Sequence, residues 1–288
     1  MIPPSLLETD DIVKRIGIIY HPLNEAALSL AKKLAEFLDA SGVSTWLCSA
    51  WEGKEVTEKL PGTDLILTAG GDGTILRVAQ AVVPGLTPIT GINLGKLGFM
   101  TELNTDDALD RLSALLAGEG WIDERAMLEA ELTADEEHKT ALRFYALNDV
   151  VVARGEIARI IYVEVSVDGE PLTTYKADGV IVATATGSTG YSLAAGGPIL
   201  HPQADELLLV PILPHLSLNH TLVLPPTAVV KLGIRTSHQA TLSIDGHISL
   251  PLLSGAMITV KHSSSRVRFL RISPKASFYS SLEQKLKG

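Results

Sequence analysis

Residues 65–76 read LILTAGGDGTIL: an apolar run breaks into Gly70-Gly71-Asp72-Gly73-Thr74 and then resumes. Glycine loses more conformational freedom on folding than any other residue, so three in four positions call for a physical reason. Either the backbone turns too tightly for side chains, or something large lies against it. After the glycines, Ile75, Val78, Ala79 and Val82 fall at helical spacing, which predicts a helix from Thr74 with Arg77 one turn in and off the buried face. A strand running through glycines into a helix is the place where an α/β sheet binds ligands, at the carboxyl end of its strands. A polyphosphate would rest on the amides of residues 71–74 and on the helix dipole, with Arg77 adding charge. The pattern is neither GxxxxGK[ST] nor GxGxxG, so the generic nucleotide motifs do not explain it. The competing reading is a tight strand–helix turn in which Asp72 is the helix N-cap.

The same alternation of strand and helix extends outward through residues 1–120 and predicts an α/β N-terminal domain with a parallel sheet. IGIIY at 16–20 is a short β-branched run, and Asn24 is a plausible N-cap for a helix with Ala27, Leu30, Ala31, Leu34 and Leu38 on one face. Ser41-Gly42 ends that helix. Further strands are expected at 43–49 and near 87–92, and a further helix near 105–116. From Trp121 the period changes. Ile161, Val163, Val165 and Val167 alternate with Tyr162, Glu164 and Ser166, and Asp168-Gly169 and Asp245-Gly246 are hairpin signals. Residues 121–271 therefore read as a mostly-β C-terminal domain, and the tail from about 272 to 288 as a helix packing back on the first domain.

Composition excludes several function classes. The 288 residues carry 24 Lys and Arg against 33 Asp and Glu, a net charge of −9 with no basic stripe, which argues against a nucleic-acid partner. The most hydrophobic stretch, Leu207 to Leu218, is broken by Pro211 and Pro214 and is too short to span a bilayer. The first residues lack the pattern of a signal peptide, and a single cysteine, Cys48, suits a reducing compartment. The expectation is a soluble cytoplasmic protein without a membrane partner.

Two further stretches carry chemistry. Residues 177–202 read ADGVIVATATGSTGYSLAAGGPILHP, with hydroxyls at Thr184, Thr186, Ser188, Thr189, Tyr191 and Ser192 that suggest a surface accepting a polar ligand closely. Asn148 and Asp149 interrupt the β-rich run ALNDVVVAR, and adjacent polar groups there need either a ligand or a turn to satisfy them. Asp245 reads equally as a turn former or a ligand contact, and His247 beside it is a further candidate. The eight histidines are scattered, and no Cys/His cluster has metal-ligand spacing. A divalent ion, Mg2+, would arrive with a nucleotide.

Together GGDGT at 70–74, NLGKLGF at 93–99, Asn148-Asp149, the block at 176–199, PILPH at 211–215 and SIDG at 243–246 resemble the NAD kinase family. The resemblance implies a two-domain fold with NAD between the domains, and transfer of a phosphoryl group from ATP or polyphosphate to the adenosine 2′-hydroxyl of NAD. It implies Asp72 as the base, and Gly70, Gly71, Gly73 and Thr74 as the phosphate loop. Asn148 and Asp149 would hold the ribose. Arg77, Arg159, Lys176, Asp178, Thr189, Gly190, Tyr191, Ala194 and Leu213 would line the dinucleotide site. It also implies a homodimer or homotetramer, for which the apolar run 207–218 would supply surface. Gly190, Ala194, Leu213 and His220 depart from the family's commonest residues. The alternatives are another GGDGT phosphotransferase, acting on a lipid or sugar, and a dinucleotide sensor without turnover.

Overall fold

A computed structural model describes residues 13–95, 98–133, 141–156, 159–215, 218–275 and 277–287. The chain forms two compact units, one of residues 1–124 with 267–288 and one of residues 125–266. The first unit opens with β1 (Arg15–Tyr20), α1 (Glu25–Ala40), β2 (Ser44–Ser49), α2 (Gly53–Lys59) and β3 (Leu65–Ala69). It continues with α3 (Asp72–Val82), β4 (Ile89–Asn93), β5 (Leu103–Asn104) and α4 (Ala108–Leu116). Strands β2, β1, β3, β4 and β5 pair in that order, all parallel. The helical spacing after Asn24 is realised: its side chain accepts the N–H groups of Ala26 and Ala27 at 3.0 and 3.4 Å. Ala27, Leu30, Ala31, Leu34 and Leu38 are buried against β1 and β3. Helix α3 begins at Asp72, two residues earlier than the spacing predicts, with Gly71 as its cap residue and no side-chain capping bond. Asp72 is therefore not an N-cap.

The second unit is built on β6 (Trp121–Thr133), β7 (Leu142–Ala146), β8 (Asp149–Arg154), β9 (Ile161–Val167), β10 (Glu170–Ala177) and β11 (Gly179–Ala183). There follow a short helix α5 (Tyr191–Ala194), then β12 (Leu207–Ile212), β13 (Leu222–Leu224), β14 (Val229–Arg235), β15 (Ala240–Ile244) and β16 (Ile248–Leu252). The long β17 (Met257–Arg271) returns the chain to the first unit, which ends in α6 (Ser277–Lys287). Within the second unit β10, β9, β14 and β17 form one antiparallel sheet, and β13, β12, β11, β8, β15 and β16 another. Their inner faces share one core, with Ile161, Val163 and Val165 of β9 packed with Val150, Val152, Val180 and Val182. Both Asp-Gly pairs turn hairpins with two positive φ angles, 53° and 87° at Asp168-Gly169 and 49° and 69° at Asp245-Gly246. That is the primed turn whose twist matches paired strands.

The first part of the run 207–218 belongs to the unit's own core, whereas Leu213 is exposed. Leu207, Leu208, Leu209 and Val210 are fully buried in β12, where they pack within the unit's own sheets. Leu216 and Ser217 lie outside the described residues.

One core residue is mismatched with its surroundings. Tyr175 of β10 is fully buried, and its hydroxyl has no hydrogen-bond partner among the described residues. Burial accordingly pushes its phenol pKa up. Tyr175→Phe removes the stranded group and is expected to raise stability by about 1 kcal/mol. The readout is a higher urea midpoint with an unchanged slope.

Candidate active site

In the first unit the glycines divide into two kinds. A Cβ at Gly70 would collide with the side chain of Thr74, so packing alone requires glycine there. Gly71 and Gly73 face open space and need no positive φ, so neither packing nor backbone conformation demands them. What they provide is bare backbone at the start of an 11-residue helix, where N–H groups and dipole favour an anion. Thr74 beside them is 1% exposed, and its hydroxyl has no partner among the described residues. Arg77 sits one turn further along α3, with its guanidinium 5.9 Å from the Trp51 ring.

Asp72 lies at the mouth of this loop, and both carboxylate oxygens accept backbone N–H groups, from Phe99 at 2.8 Å and Met100 at 3.1 Å. Gly98 has to be glycine because a Cβ would strike that carboxylate. The motif at 93–99 is thus a cradle for Asp72, although Lys96 and Leu97 lie outside the described residues. The cradle is itself tethered. Arg271 donates to the Met100 carbonyl at 2.7 Å and pairs with Asp123 at 3.2 Å and Glu102 at 3.3 Å, all three side chains being buried. Glu102 in turn accepts the N–H groups of Ile272 and Ser273 at 2.9 and 2.6 Å. Sequence patterning does not reveal this network.

In the second unit the corner at Asn148 and Asp149 takes the turn of the two sequence alternatives. The chain does turn there, between β7 and β8, and the turn is organised by Asp245. Its carboxylate accepts the N–H groups of Leu147, Asn148 and Asp149 at 2.9, 2.7 and 3.0 Å. Asp245 is therefore a turn former and also the anchor of the corner. His247 approaches the Asp245 carbonyl with Nδ1 at 3.2 Å. Asp149 is 5% exposed, and its pKa is raised from 3.8 to about 7, chiefly by burial and then by the charge of Asp245. The Asn148 side-chain oxygen has no partner among the described residues. A cleft of about 390 Å³ opens beside the pair, lined also by Val151, Ala153, Tyr191 and Ser243. The period of two along β8 places Asp149, Val151 and Ala153 on this side, and Ser243 pairs across from Val151. That period is the sequence signal for the lining residues that motif reading misses.

The hydroxyl-rich block is arranged differently from the exposed surface that the sequence suggests. Thr184, Thr186, Ser188 and Ser192 are buried. Thr184 donates to the Leu147 carbonyl at 2.6 Å, Ser188 to that of Ala185 at 2.6 Å, and Thr189 to that of Thr186 at 3.1 Å. A Cβ at Gly187 would run into the Asn148 backbone. The block thus supports the corner from beneath, because small residues let it approach and its hydroxyls bind backbone. At Gly190 a Cβ would sit 3.3 Å from the Asn148 amide nitrogen, tight but without a forbidden φ. Tyr191 is exposed at the cleft. Lys176 lies near the end of β10, and Asp178 pairs with Arg154 at 3.0 Å. Arg159 and Ala194 are exposed, and Leu213 is 76% exposed with a φ of 44° that leucine rarely adopts. None of these last residues lines the cleft.

The first unit thus carries a parallel sheet, a glycine loop and a single loop carboxylate, and the second a corner in which Asp149 is buried and Asn148 half-buried. Residues 50–120 match the model of the ATP-NAD kinase N-terminal domain and residues 147–272 that of the ATP-NAD kinase C-terminal domain. NAD kinase of Dehalococcoides mccartyi strain BAV1 is 53% identical over 275 residues, spanning 96% of both chains. NAD kinase of Chloroflexus aurantiacus J-10-fl is 39% identical, spanning 96% of this chain and 99% of that one. Yeast NADH kinase in complex with NADH superposes with a TM-score of 0.85 at 23% identity, covering 96% of this chain and 88% of that one. NAD kinase from Archaeoglobus fulgidus in complex with ATP does so with a TM-score of 0.75 at 26% identity, covering 95% and 99%. The chain belongs to the NAD kinase family.

Proposed function

We propose that this chain phosphorylates NAD at the adenosine 2′-hydroxyl, with ATP as donor and Asp72 as general base. The 2′-oxygen bonds to the γ-phosphorus as the bond to the β-phosphate bridge breaks. The hydroxyl proton passes to Asp72, and ADP and NADP leave. The observation that carries this reading is the lone loop carboxylate, oriented by Phe99 and Met100 beside two glycines that the fold does not otherwise need. Family membership weighs against the lipid- or sugar-kinase and sensor alternatives. Both Asp72 oxygens already meet backbone donors, and among the described residues no group of three or more His, Cys, Asp or Glu could hold a metal ion. This donor set suits a Mg2+ bound by the nucleotide's own phosphates, where it would neutralise developing charge. A homodimer or homotetramer in the cytoplasm completes the reading; among the described residues no helix is long and apolar enough to cross a membrane. The test is purified protein with NAD, ATP and Mg2+, with NADP read by an NADP-specific dehydrogenase. No NADP from either ATP or polyphosphate overturns the assignment.

Asn148 and Asp149 are the ribose-holding pair in this reading, and Asp149 makes the binding depend on pH. Only the ionised carboxylate accepts from two ribose hydroxyls, and its pKa lies at about 7. The KM for NAD is expected to fall as pH rises through 7. Asp149→Asn should raise KM about tenfold at pH 8 and flatten that dependence. Stability runs the opposite way. The folded protein holds the Asp149 proton up to about pH 7 while the unfolded chain releases it near 3.8. Stability therefore declines between these values and stays lower above them. The Asn variant should consequently be more stable than the parent at pH 8, by on the order of a few kcal/mol. Equal melting temperatures at pH 8 would contradict the strained carboxylate.

A further inference from the structure

The carboxyl edge of the parallel sheet carries an aromatic cluster that the glycine loop does not account for. Trp51 follows β2, His21 follows β1, and Arg77 projects from α3. Main-chain bonds hold the strand ends in line: Ala50 N–H to Tyr20, His21 N–H to Ala69 and Gly70 N–H to Ile92, each at 3.0 Å. Trp51 and His21 thus open on the same edge as the glycine loop. The Trp51 indole is 49% exposed, an unfavourable position for the largest apolar side chain. His21 packs edge-on against it with ring centroids 6.1 Å apart, and its Nδ1 has no hydrogen-bond partner among the described residues. The Arg77 guanidinium, 5.9 Å from the ring centre, is at the outer limit of a cation–π contact and is not committed to the indole.

We propose that Trp51, flanked by His21 and Arg77, is the platform on which the nucleobase of the phosphoryl donor stacks, so that the enzyme takes purine nucleoside triphosphates in preference to base-free polyphosphate. This rests on the kinase reading above and adds the determinant of donor choice. Arg77 lies four residues beyond Gly73, about 6 Å along the helix axis, so it stands between the phosphate loop and the indole. The buried, unpartnered Thr74 hydroxyl marks the phosphate end of the same track. Stacking on an indole is indifferent to the hydrogen-bonding edge of the base, so ATP and GTP should serve comparably, while a phosphate chain gains nothing from Trp51. Arg77 then follows the triphosphate as a charge, and the His21 ring braces the indole edge-on.

The experiment uses the full chain with intrinsic fluorescence and steady-state kinetics. A non-hydrolysable ATP analogue should quench the tryptophan emission of the parent, and inorganic tripolyphosphate should not. Trp51→Phe should lose the quench yet keep its ATP KM within about threefold, because phenylalanine still stacks. Trp51→Ala should raise the ATP KM about tenfold, equivalent to about 1.4 kcal/mol, while the NAD KM changes less than about twofold. Quenching by tripolyphosphate as strong as by the analogue, an unchanged ATP KM in Trp51→Ala, or an equal rise in the NAD KM would overturn the platform. If no donor yields NADP with the parent, the kinase reading fails, and the fluorescence titration still decides whether Trp51 receives a nucleobase.

Discussion

Asp72→Asn is expected to lower kcat by about 10²-fold or more with the KM for NAD little changed, because an amide cannot take the proton that the 2′-hydroxyl loses. The substitution also has a structural cost that the local sequence conceals. Were Asp72 a helix cap, asparagine would replace it at no cost, since both residues cap helices well. Its carboxylate instead accepts two N–H groups, one on each oxygen, from Phe99 and Met100. Asparagine retains one acceptor and turns an N–H2 group toward the other donor. A loss of about 1–3 kcal/mol should follow, visible as a melting temperature lower by several degrees. The two effects separate cleanly, because kcat is measured on folded protein at a temperature below both transitions. A variant that melts lower but keeps near-normal kcat would leave Asp72 as a structural anchor and remove it as the base.

The α/β half is legible in the sequence because its signals are local. A buried parallel strand reads as LILTA, and an amphipathic helix such as α1 shows its face in the spacing of Ala27, Leu30, Ala31, Leu34 and Leu38. Helix α2 escapes such a reading because it buries one residue, Val56, and has no side-chain cap. The site divides along the same line. Asp72, Asn148 and Asp149 stand out because polar residues in apolar surroundings are conspicuous in a sequence. What holds them is not conspicuous. Asp245 meets Leu147 across 98 positions, and Arg271 meets Met100 across 171, and no window of sequence contains both partners. The hydroxyls of the 184–189 stretch mislead for a related reason. Composition shows that donors are present, but only the folded chain shows them turned inward to backbone carbonyls. Glycine is the most ambiguous of all: Gly70, Gly98 and Gly187 are required by packing, whereas Gly71 and Gly73 are left bare.

Arg271→Met is expected to destabilise the protein by about 3–5 kcal/mol, a large part of the roughly 5–15 kcal/mol typical of a folded domain. The guanidinium lies between Asp123, 2% exposed, and Glu102, and removing it leaves two buried carboxylates without the cation between them. It also deprives the Met100 carbonyl of its donor, and the N–H of Met100 is one of the two that orient Asp72. The fold and the Asp72 carboxylate are therefore coupled through one side chain. Arg271→Lys keeps the charge but not the planar fork that reaches several acceptors, so its urea midpoint should fall between those of the parent and Arg271→Met. Adding Asp123→Asn and Glu102→Gln to Arg271→Met removes the stranded charges, while the new amide at position 102 keeps an oxygen for the Ile272 and Ser273 N–H groups. That triple variant should recover part of the lost stability, as replacing a whole buried ionic group often costs little. If it is no more stable than Arg271→Met alone, the loss comes from the broken tether to Met100 rather than from stranded charge.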